Sequence, residues 1–261
     1  MSAHMRPDRR SPSLPAVILL LALSFFPGLA STRADLIFAD SFDYPTGDLD
    51  GRGPPPGSPP GQGGWASFNQ TPRIAPSGLD YLGIFSSGNS AGLLGLSDTN
   101  GDKAVAALGP VTPADGTVWV GFLIRKARGP HEEDGFAVVS LGNNVTGPSV
   151  GIGMLFEKNR YGLDNNTGAR FDRSRTAVAP NEKTVWLVTK LDFTSGQEYV
   201  WVDPAPEGEP DIAEADAHLP MKAAFQSAGF SDIVLFIGYT GATFQYDELR
   251  VSTAFADVVS P

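Results

Sequence analysis

The sequence lacks several features, and each absence excludes a class of protein. There is no cysteine, which excludes disulfide bonds, thiolate metal sites and a cysteine nucleophile. Basic residues are few: 19 Lys and Arg stand against 29 Asp and Glu, and the net charge of −10 disfavours nucleic acid and anionic membranes as partners. Beyond the N-terminal segment, no apolar run is long enough to span a bilayer.

The N-terminal segment has the pattern of a secretory signal peptide. Three arginines fall within the first ten residues, residues 16–26 form a short apolar run, and small residues lead up to Ala34. We therefore expect residues 1–34 to be removed on export, and residues 35–261 to form a protein that is secreted or held in the cell envelope. Removal of four arginines and one aspartate would leave 15 basic and 28 acidic side chains, a net charge of −13.

Glycine and proline are abundant, with 30 and 22 residues, and they separate short runs of alternating apolar residues. Such runs predict strands joined by tight turns. The clearest is 117–126, where Val118 and its alternate neighbours would face one side of a sheet and Trp119 the other. The other predicted strands are residues 36–42, 79–85, 104–108, 136–141, 150–157, 184–192, 197–203, 233–239 and 244–251. With residues 221–228 as one short helix, the pattern predicts a single all-β sandwich of about 10 to 14 strands.

The first and last predicted strands each place an aspartate among apolar residues. Asp40 shares a face with Phe38 and Phe42, and Asp247 shares one with Leu249. A buried carboxylate needs hydrogen-bond donors or a cation. If the two strands are neighbours, the carboxylates approach each other, and a structural Ca²⁺ held by Asp40, Asp247 and backbone carbonyls would relieve their repulsion. The alternative is that each aspartate accepts backbone N–H bonds and no metal is present.

Four segments carry motifs of a known family: residues 39–49 read ADSFDYPTGDL, 247–259 read DELRVSTAFADVV, 117–120 read TVWV, and 199–204 read YVWVDP. Together they resemble secreted, largely uncharacterised bacterial proteins, typical of planctomycetes, with a concanavalin A-like or laminin-G-like domain. The resemblance implies a two-sheet antiparallel jelly-roll sandwich whose first and last strands are adjacent, and such domains commonly hold a structural calcium ion. Their superfamily includes lectins, adhesion modules, glycosidases and lyases, so the fold leaves the function open.

One short segment fits a catalytic pattern of that superfamily. Residues 209–214, EPDIAE, match the E-x-D-x-x-E pattern of laminarinase-type glycosidases, in which two glutamates on one strand act as nucleophile and acid/base. Glu209 and Glu214 are therefore the alternative catalytic pair. Pro210 would interrupt a central strand, and its surroundings are typical of a loop, so we favour an acidic surface loop here.

A second segment, residues 88–92, reads GNSAG and matches the G-x-S-x-G nucleophile elbow. That elbow needs a strand before it and a helix after it. No helical pattern follows, so a Gly/Ser turn is predicted instead.

Basic residues cluster once in the middle of the chain. Arg170, Arg173 and Arg175 could grip an anionic glycan, or they could lie at a solvated hairpin tip.

Tryptophan recurs beside charge on the predicted strands. Trp119 shares a face with Arg125, and Trp186 shares one with Lys190 and Asp192. Sugar rings stack on such aromatic rings while neighbouring polar groups take the hydroxyls, so these five residues are candidate ligand-binding residues. The alternative is that the tryptophans are core residues and the charges lie only at strand ends.

Together these features favour a secreted, non-catalytic jelly-roll module that binds an extracellular polysaccharide or glycan and holds one calcium ion. A laminarinase-type glycoside hydrolase is the alternative. A third hypothesis is a cell-surface or matrix interaction protein with no sugar ligand. Neither nucleic acid nor an inserted membrane segment is expected once the leader is removed.

Overall fold

Sixteen strands form two antiparallel sheets in the described part of the chain. The structure is a computed structural model that describes residues 36–68, 72–82, 88–94, 101–128, 135–143, 147–156, 159–166, 171–239 and 241–259. The predicted signal peptide lies outside these residues.

The strands are β1 (Leu36–Asp40), β2 (Gly47–Asp48), β3 (Trp65–Phe68), β4 (Arg73–Ala75), β5 (Ser90–Leu94), β6 (Lys103–Val111), β7 (Thr117–Arg128), β8 (Phe136–Gly142), β9 (Ser149–Met154), β10 (Tyr161–Asn166), β11 (Phe171–Arg175), β12 (Val185–Asp192), β13 (Gln197–Val202), β14 (Ala217–Pro220), β15 (Phe230–Gly238) and β16 (Thr243–Ser252). The two α-helices of these residues are α1 (Ala223–Ala228) and α2 (Phe255–Val259).

The two sheets confirm the predicted two-sheet antiparallel sandwich. The larger sheet has nine strands in the order β14-β13-β12-β7-β16-β5-β4-β2, with β1 also paired to β16. The smaller sheet has seven strands in the order β11-β10-β9-β8-β15-β6-β3. The pairing of β1 with β16 is antiparallel, which confirms that the first and last strands are neighbours.

Alternation along the strands builds the core between the sheets. On β7, Val118, Val120 and Phe122 point into this core, whereas Trp119 and Leu123 point to the outer face, as the sequence predicts. Burying one such apolar side chain contributes about 1.5–3 kcal/mol relative to leaving it exposed. A chain without disulfides therefore draws its stability from this inter-sheet layer.

The C-terminal segment covers part of the outer face of the larger sheet. Phe255 and Val258 of α2 pack with Leu79, Tyr81 and the outward-facing residues of β7, β12 and β13 in a second apolar cluster. Gly121 on β7 permits the close approach of α2, because a Cβ at that position would lie 3.1 Å from Val258 Cβ. This face is therefore closed beneath α2.

A β-bulge in β16 changes the predicted faces of the last strand. Between Asp247 and Arg250 the strand advances three residues while its partner β7 advances two. Glu248, inside the bulge, takes a left-handed φ of 48°. Leu249 still points into the core, but Asp247 points to the outer face. The prediction that these two residues share a face is therefore wrong, because the alternation slips by one residue at the bulge.

Several elements differ from the sequence-based expectation. Ser90–Leu94 is strand β5, where a Gly/Ser turn was predicted, and Phe171–Arg175 is strand β11, where a hairpin tip was one alternative. Residues 79–82 hold only an isolated bridge at Tyr81, so the strand predicted there is wrong as far as the chain is described. These strands are short or rich in Gly, Ser and Arg, and sheet pairing overrides their weak local preference.

The helices are predicted in part. The helix α1 lies inside the predicted residues 221–228, and this expectation is confirmed. The helix α2 was not predicted, because five residues are too few to show a helical period. None of the helices within the described ranges has the length and apolar character that a membrane crossing requires.

Candidate functional site

An aromatic groove lies on the outer face of the smaller sheet. It encloses about 330 Å³ and is crossed by strands β8, β9, β10, β11 and β15. Its aromatic walls are Phe136, Phe156, Phe236 and Tyr239. Asp164 and Arg173 supply the charged groups of its lining. A concave site lined mainly by apolar rings, with a few polar groups converging on it, is typical of a small-molecule or sugar site.

The aromatic rings of the groove pack as a cup. Phe136 and Phe236 meet edge to face, with ring centroids 4.6 Å apart and planes at 74°. Phe156 and Tyr239 do the same at 5.3 Å and 65°. Phe136 joins the two pairs, at 6.1 Å from Tyr239 and 6.3 Å from Phe156. Edge-to-face contacts hold each ring at a fixed angle to the next, so the cup is preorganised for a ligand.

The rings are positioned by strands that carry apolar side chains on both faces of the smaller sheet. On β8 and β15, Val139 and Leu235 point into the inter-sheet core while Phe136 and Phe236 point outward. Gly238 pairs directly with Phe136, and a Cβ at Gly238 would lie 2.9 Å from the Phe136 ring. The glycine therefore leaves the space that the ring occupies over the strand.

Tyr239 is held in an unusual backbone conformation. It follows the end of β15 and takes a left-handed φ of 54°, which costs a non-glycine residue about 1 kcal/mol or more. Its half-buried ring packs on Phe156 and Phe136. Residues kept in such conformations cluster at ligand sites, where the strain sets the direction of a side chain.

An ion pair forms the polar wall of the groove. Arg173 Nε donates to Asp164 Oδ2 at 2.8 Å, and the guanidinium lies 5.3 Å above the centre of the Phe156 ring. The other carboxylate oxygen, Asp164 Oδ1, is buried and accepts no hydrogen bond within the described residues. Burial raises the pKa of Asp164, and the hydrogen bond and positive charge of Arg173 offset part of that rise. Asp164 therefore holds a buried acceptor without a hydrogen-bond partner beside the rings.

A lysine stands at the rim on the opposite side. The Lys103 ammonium lies 4.2 Å from the centre of the Phe236 ring, a cation–π contact. Burial lowers the pKa of Lys103. Among the described residues, the contact of its ammonium group is with the Phe236 ring. Its partner across the strand pair is Phe68 on β3, whose side chain is 47% exposed.

The floor of the groove contains a glycine with room above it. A Cβ at Gly151 on β9 would lie 3.6 Å from Val138 and 3.7 Å from Asp164, which are ordinary contact distances. A larger side chain at Gly151 would therefore rise into the groove without forcing the backbone apart.

The tryptophans that the sequence singled out lie elsewhere, on the outer face of the larger sheet. Trp119 is 2% exposed and Trp186 1% exposed. Trp119 stacks on Trp201 at 5.9 Å, and both predicted tryptophans contact Phe255 of α2. Trp119 and Lys190 line one cleft of about 520 Å³ beside Glu209 and Phe255. The interpretation of the two tryptophan rings as a half-wet stacking surface is nevertheless wrong, because both rings are almost fully buried and α2 covers them. The sequence could not show this cover, since α2 carries no clear helical signal.

The charged residues predicted beside those tryptophans separate. Arg125 donates to Gln245 Oε1 on β16, at 3.1 Å from its Nε. Asp192 accepts from the backbone N–H groups of Thr194 and Ser195 and so caps a turn. Lys190 alone stays beside an aromatic ring, with its ammonium 5.0 Å from the centre of Trp119. The structure does not bring the five residues into one site.

The alternative catalytic glutamates lie in the loop between β13 and β14. Glu209 accepts from Lys190 Nζ at 2.6 Å, while Glu214 ends an exposed single turn of 3₁₀ helix capped by Asp211. A retaining glycosidase of the laminarinase type needs both carboxylates on one strand. This arrangement is absent from that described loop, so the acidic surface loop favoured by the sequence is confirmed.

Asp40 and Asp247 lie on opposite faces of the larger sheet. Asp40 points into the core, where it accepts from Trp65 Nε1, the Tyr44 hydroxyl and the Phe42 N–H, each at 2.7 Å. Asp247 accepts from the Leu79 N–H at 2.8 Å on the other face. The carboxylates thus do not approach each other, because the bulge turns Asp247 away.

At Asp40, hydrogen-bond donors stabilise the buried carboxylate, which is the role that the sequence analysis assigned to a cation. Within the described residues, no group of three or more His, Cys, Asp or Glu side chains is placed to hold a metal ion. The calcium ion itself stays a prediction, which elemental analysis of the purified protein would test.

Replacing Asp40 with asparagine is expected to lower the free energy of unfolding by about 1–3 kcal/mol. The amide has a single acceptor oxygen for the three donors, and its NH₂ group would face one of them. Urea unfolding of the variant measures the loss, with Glu182→Gln, an exposed carboxylate, as the control. An Asp40→Asn variant as stable as the wild type would contradict this account of the site.

The sequence analysis missed the residues of the groove. Among its lining residues, Arg173 alone was a candidate, as part of the basic cluster; Arg170 of that cluster lies outside the described residues. A usable signal was present, since runs 136–141 and 233–239 are apolar in both alternating sets. A strand that is apolar on both faces within a two-layer sandwich carries an apolar outer face, and aromatics on that face indicate a site where no other segment covers them.

Comparisons with known proteins show the fold. No protein-family model matches the sequence, and no curated protein matches it. The chain is similar to domain 4 of AbnA, a GH43 extracellular arabinanase from Geobacillus stearothermophilus, solved in complex with arabinotriose: the identity is 12%, the TM-score is 0.50, and the match covers 87% of this chain and 99% of that one. It is also similar to the T. cruzi calreticulin globular domain, with 10% identity, a TM-score of 0.50, and coverage of 86% and 90%.

A third similarity is partial. The botulinum neurotoxin serotype C1 binding domain matches with 12% identity and a TM-score of 0.42, over 72% of this chain and 46% of that one. The chain thus spans about half the length of that domain. At these identities, the two similarities with a TM-score of 0.50 show the fold alone, an all-β sandwich of two sheets.

Proposed function

We propose that this protein is an exported, non-catalytic module that binds carbohydrate in the aromatic groove of the smaller sheet. The observation that carries the proposal is the cup of four rings beside Asp164 and Arg173. Sugar rings present C–H groups that pack on aromatic faces and hydroxyls that need hydrogen-bond partners. The groove offers both kinds of group within one cavity.

The polar groups of the groove suit hydroxyl recognition. Asp164 Oδ1 is an acceptor without a hydrogen bond among the described residues, and it lies beside the cup. Its partner Arg173 fixes the carboxylate through Oδ2. A bound hydroxyl that donates to Oδ1 would satisfy the buried acceptor, which is costly to leave unpaired.

Binding is favoured over cleavage. Glycoside hydrolysis normally needs two carboxyl groups that flank the scissile bond. Among the described lining residues of the groove, Asp164 is the one carboxylate. The similar Geobacillus domain was solved with arabinotriose, which makes a sugar ligand compatible with this fold.

Replacing Tyr239 with glycine is expected to abolish binding to the glycan that the wild-type protein recognises, without a large loss of stability. The change removes one wall of the cup, while glycine relieves the left-handed φ of 54°. A glycan array identifies the ligand, and calorimetry then compares the variant with the wild type. Tyr199→Ala is the matched control, because Tyr199 is a half-buried tyrosine on the opposite sheet.

Filling the groove from its floor is an independent test of the same site. Gly151→Leu is expected to block binding with every aromatic wall intact, because its side chain would rise between Val138 and Asp164. Gly151→Ala, whose Cβ has room, should bind like the wild type. Binding that survives both Tyr239→Gly and Gly151→Leu would show that the ligand lies elsewhere. An array without any ligand would instead favour an interaction protein with no sugar partner.

A further inference from the structure

The charges at the groove do not follow the charge of the whole chain. The sequence carries a net charge of −10, yet the described charged groups at the groove and its rim are Asp164, Arg173 and Lys103, which together are positive. Asp164 and Arg173 neutralise each other through their hydrogen bond. Of these three described groups, Lys103 is therefore the one whose charge the other two do not balance.

The position of Lys103 explains how it could meet a ligand. On the outer face, Phe68, Lys103 and Phe236 stand side by side on the adjacent strands β3, β6 and β15. The ammonium lies over Phe236, which is itself a wall of the cup. The row extends the aromatic surface from the cup to the exposed ring of Phe68, with Lys103 on the strand between the two aromatic residues.

Half-burying an ammonium group without a carboxylate partner is unfavourable, because it loses hydration. The lowered pKa of Lys103 expresses that cost. The cation–π contact with Phe236 offsets part of this desolvation cost. A bound anion would offset more of the desolvation cost, since a charge-assisted hydrogen bond is stronger than a neutral one.

We infer that the groove takes an acidic sugar, one that carries a carboxylate or a sulfate, with its anionic group on Lys103 and its ring in the aromatic cup. This inference rests on the proposed function. Hydroxyls next to the ring would donate to the carboxylate of Asp164 on the opposite wall, whose Oδ1 has no hydrogen-bond partner among the described residues. The two walls thus give the ligand a direction, with the anionic group toward β6 and the hydroxyls toward β10.

The same cations exclude another ligand that aromatic cups bind. Cups of rings also hold alkylammonium groups by cation–π attraction. Here Lys103 and Arg173 already cover the faces of Phe236 and Phe156. Asp164 balances the charge of Arg173, and the charge of Lys103 would repel an incoming cation. The charge at the rim selects an anion.

The experiment compares acidic polysaccharides with their neutral derivatives. Polygalacturonic acid and alginate are assayed against their carboxyl-reduced forms, and carrageenan against its desulfated form, with the full-length exported protein. We expect binding to at least one acidic member and a roughly tenfold or greater loss for its neutral derivative. The uronate and sulfate arms tell which anion is recognised. Affinity for the acidic member should also fall as salt is raised.

Variants of Lys103 assign the effect to this side chain. Lys103→Met should lower affinity for the acidic member about tenfold, so that the variant no longer distinguishes the acidic member from its neutral derivative. Lys103→Arg, which keeps the charge, should bind like the wild type and shows that the position tolerates change. Lys183→Met, at an exposed lysine, is the matched control.

The outcomes separate the inference from the proposed function. Equal affinity for acidic and neutral members, lost in Tyr239→Gly but not in Lys103→Met, would overturn the inference and keep the carbohydrate site. Absence of binding to every polysaccharide and to the glycan array would overturn both.

Discussion

Alanine at Trp119 or at Trp186 is expected to lower the free energy of unfolding by about 3–5 kcal/mol. Both side chains are almost completely buried, and α2 lies over them. Trp119 would lose its contacts with Trp201 at 5.9 Å and Phe255 at 5.2 Å. A cavity would remain, because strands β7 and β12 beneath it are held by the sheet and cannot collapse.

Urea unfolding measures this loss, with Leu82→Ala as the control. Leu82 is 81% exposed, so its truncation should change stability by less than about 0.5 kcal/mol. Glycan binding by the two tryptophan variants, measured well below their melting temperatures, should match the wild type, because the groove lies on the other sheet. A loss below about 1 kcal/mol together with weakened binding would restore these tryptophans as ligand residues.

Raising the pH from 4.5 to 8 is expected to destabilise the wild-type protein through Glu198. This residue on β13 is fully buried between the sheets, and neither carboxyl oxygen makes a hydrogen bond of ordinary geometry within the described residues. Burial raises the pKa of Glu198 to about 8, and the nearby Asn165 side chain offsets only part of the rise. Glu198 is therefore protonated in the folded state at neutral pH.

The direction of the effect follows from the two states. Below about pH 4.5, the ordinary value of the pKa, Glu198 is protonated in both states and imposes no cost. As the pH rises toward 8, the unfolded chain releases this proton while the folded protein keeps it, so stability falls by about 1.4 kcal/mol per pH unit. The total loss is on the order of 5 kcal/mol and stays constant above the folded pKa.

Glu198→Gln should remove this pH dependence. The glutamine has nearly the same shape but no ionisable group, so the variant and the wild type should unfold alike near pH 4.5, whereas the variant should be more stable at pH 8. Denaturant unfolding at several pH values makes the comparison. Asp40 and Asp164, whose pKa values burial also raises, are present in both proteins and cancel in the difference. A constant difference between pH 4.5 and pH 8 would contradict the assignment to Glu198.

The fold could be predicted from the sequence because the alternation of long strands is strong. The core face of β7 can be identified from the alternation of Val118, Val120 and Phe122. The pairing of the first and last strands follows from the family resemblance. The prediction failed at one point, where the register of β16 shifts by one residue and turns Asp247 to the other face. The bulge at Glu248 depends on tertiary pairing with β7 and leaves no local mark, so the predicted partnership of Asp40 and Asp247 failed with it.

The candidate site could be predicted much less well, for a related reason. Tryptophan beside charge suggested a wet surface, but exposure depends on whether another segment covers the strand. The segment that covers Trp119 is α2, whereas no described helix packs on the face that carries Phe136 and Phe236. Aromatic content on a strand face therefore predicts either a site or a second core. Only the three-dimensional arrangement separates the two.

The pairing of β1 with β16 has a practical consequence for orientation. Both strands belong to the larger sheet, and α2 follows β16 on the outer face of that sheet. Residues 36 and 259 therefore both emerge on the side of the sandwich away from the groove. A bead, a sensor chip or a fused domain coupled at either end of the described chain would leave the groove pointing outward, ready to meet a long polymer in solution.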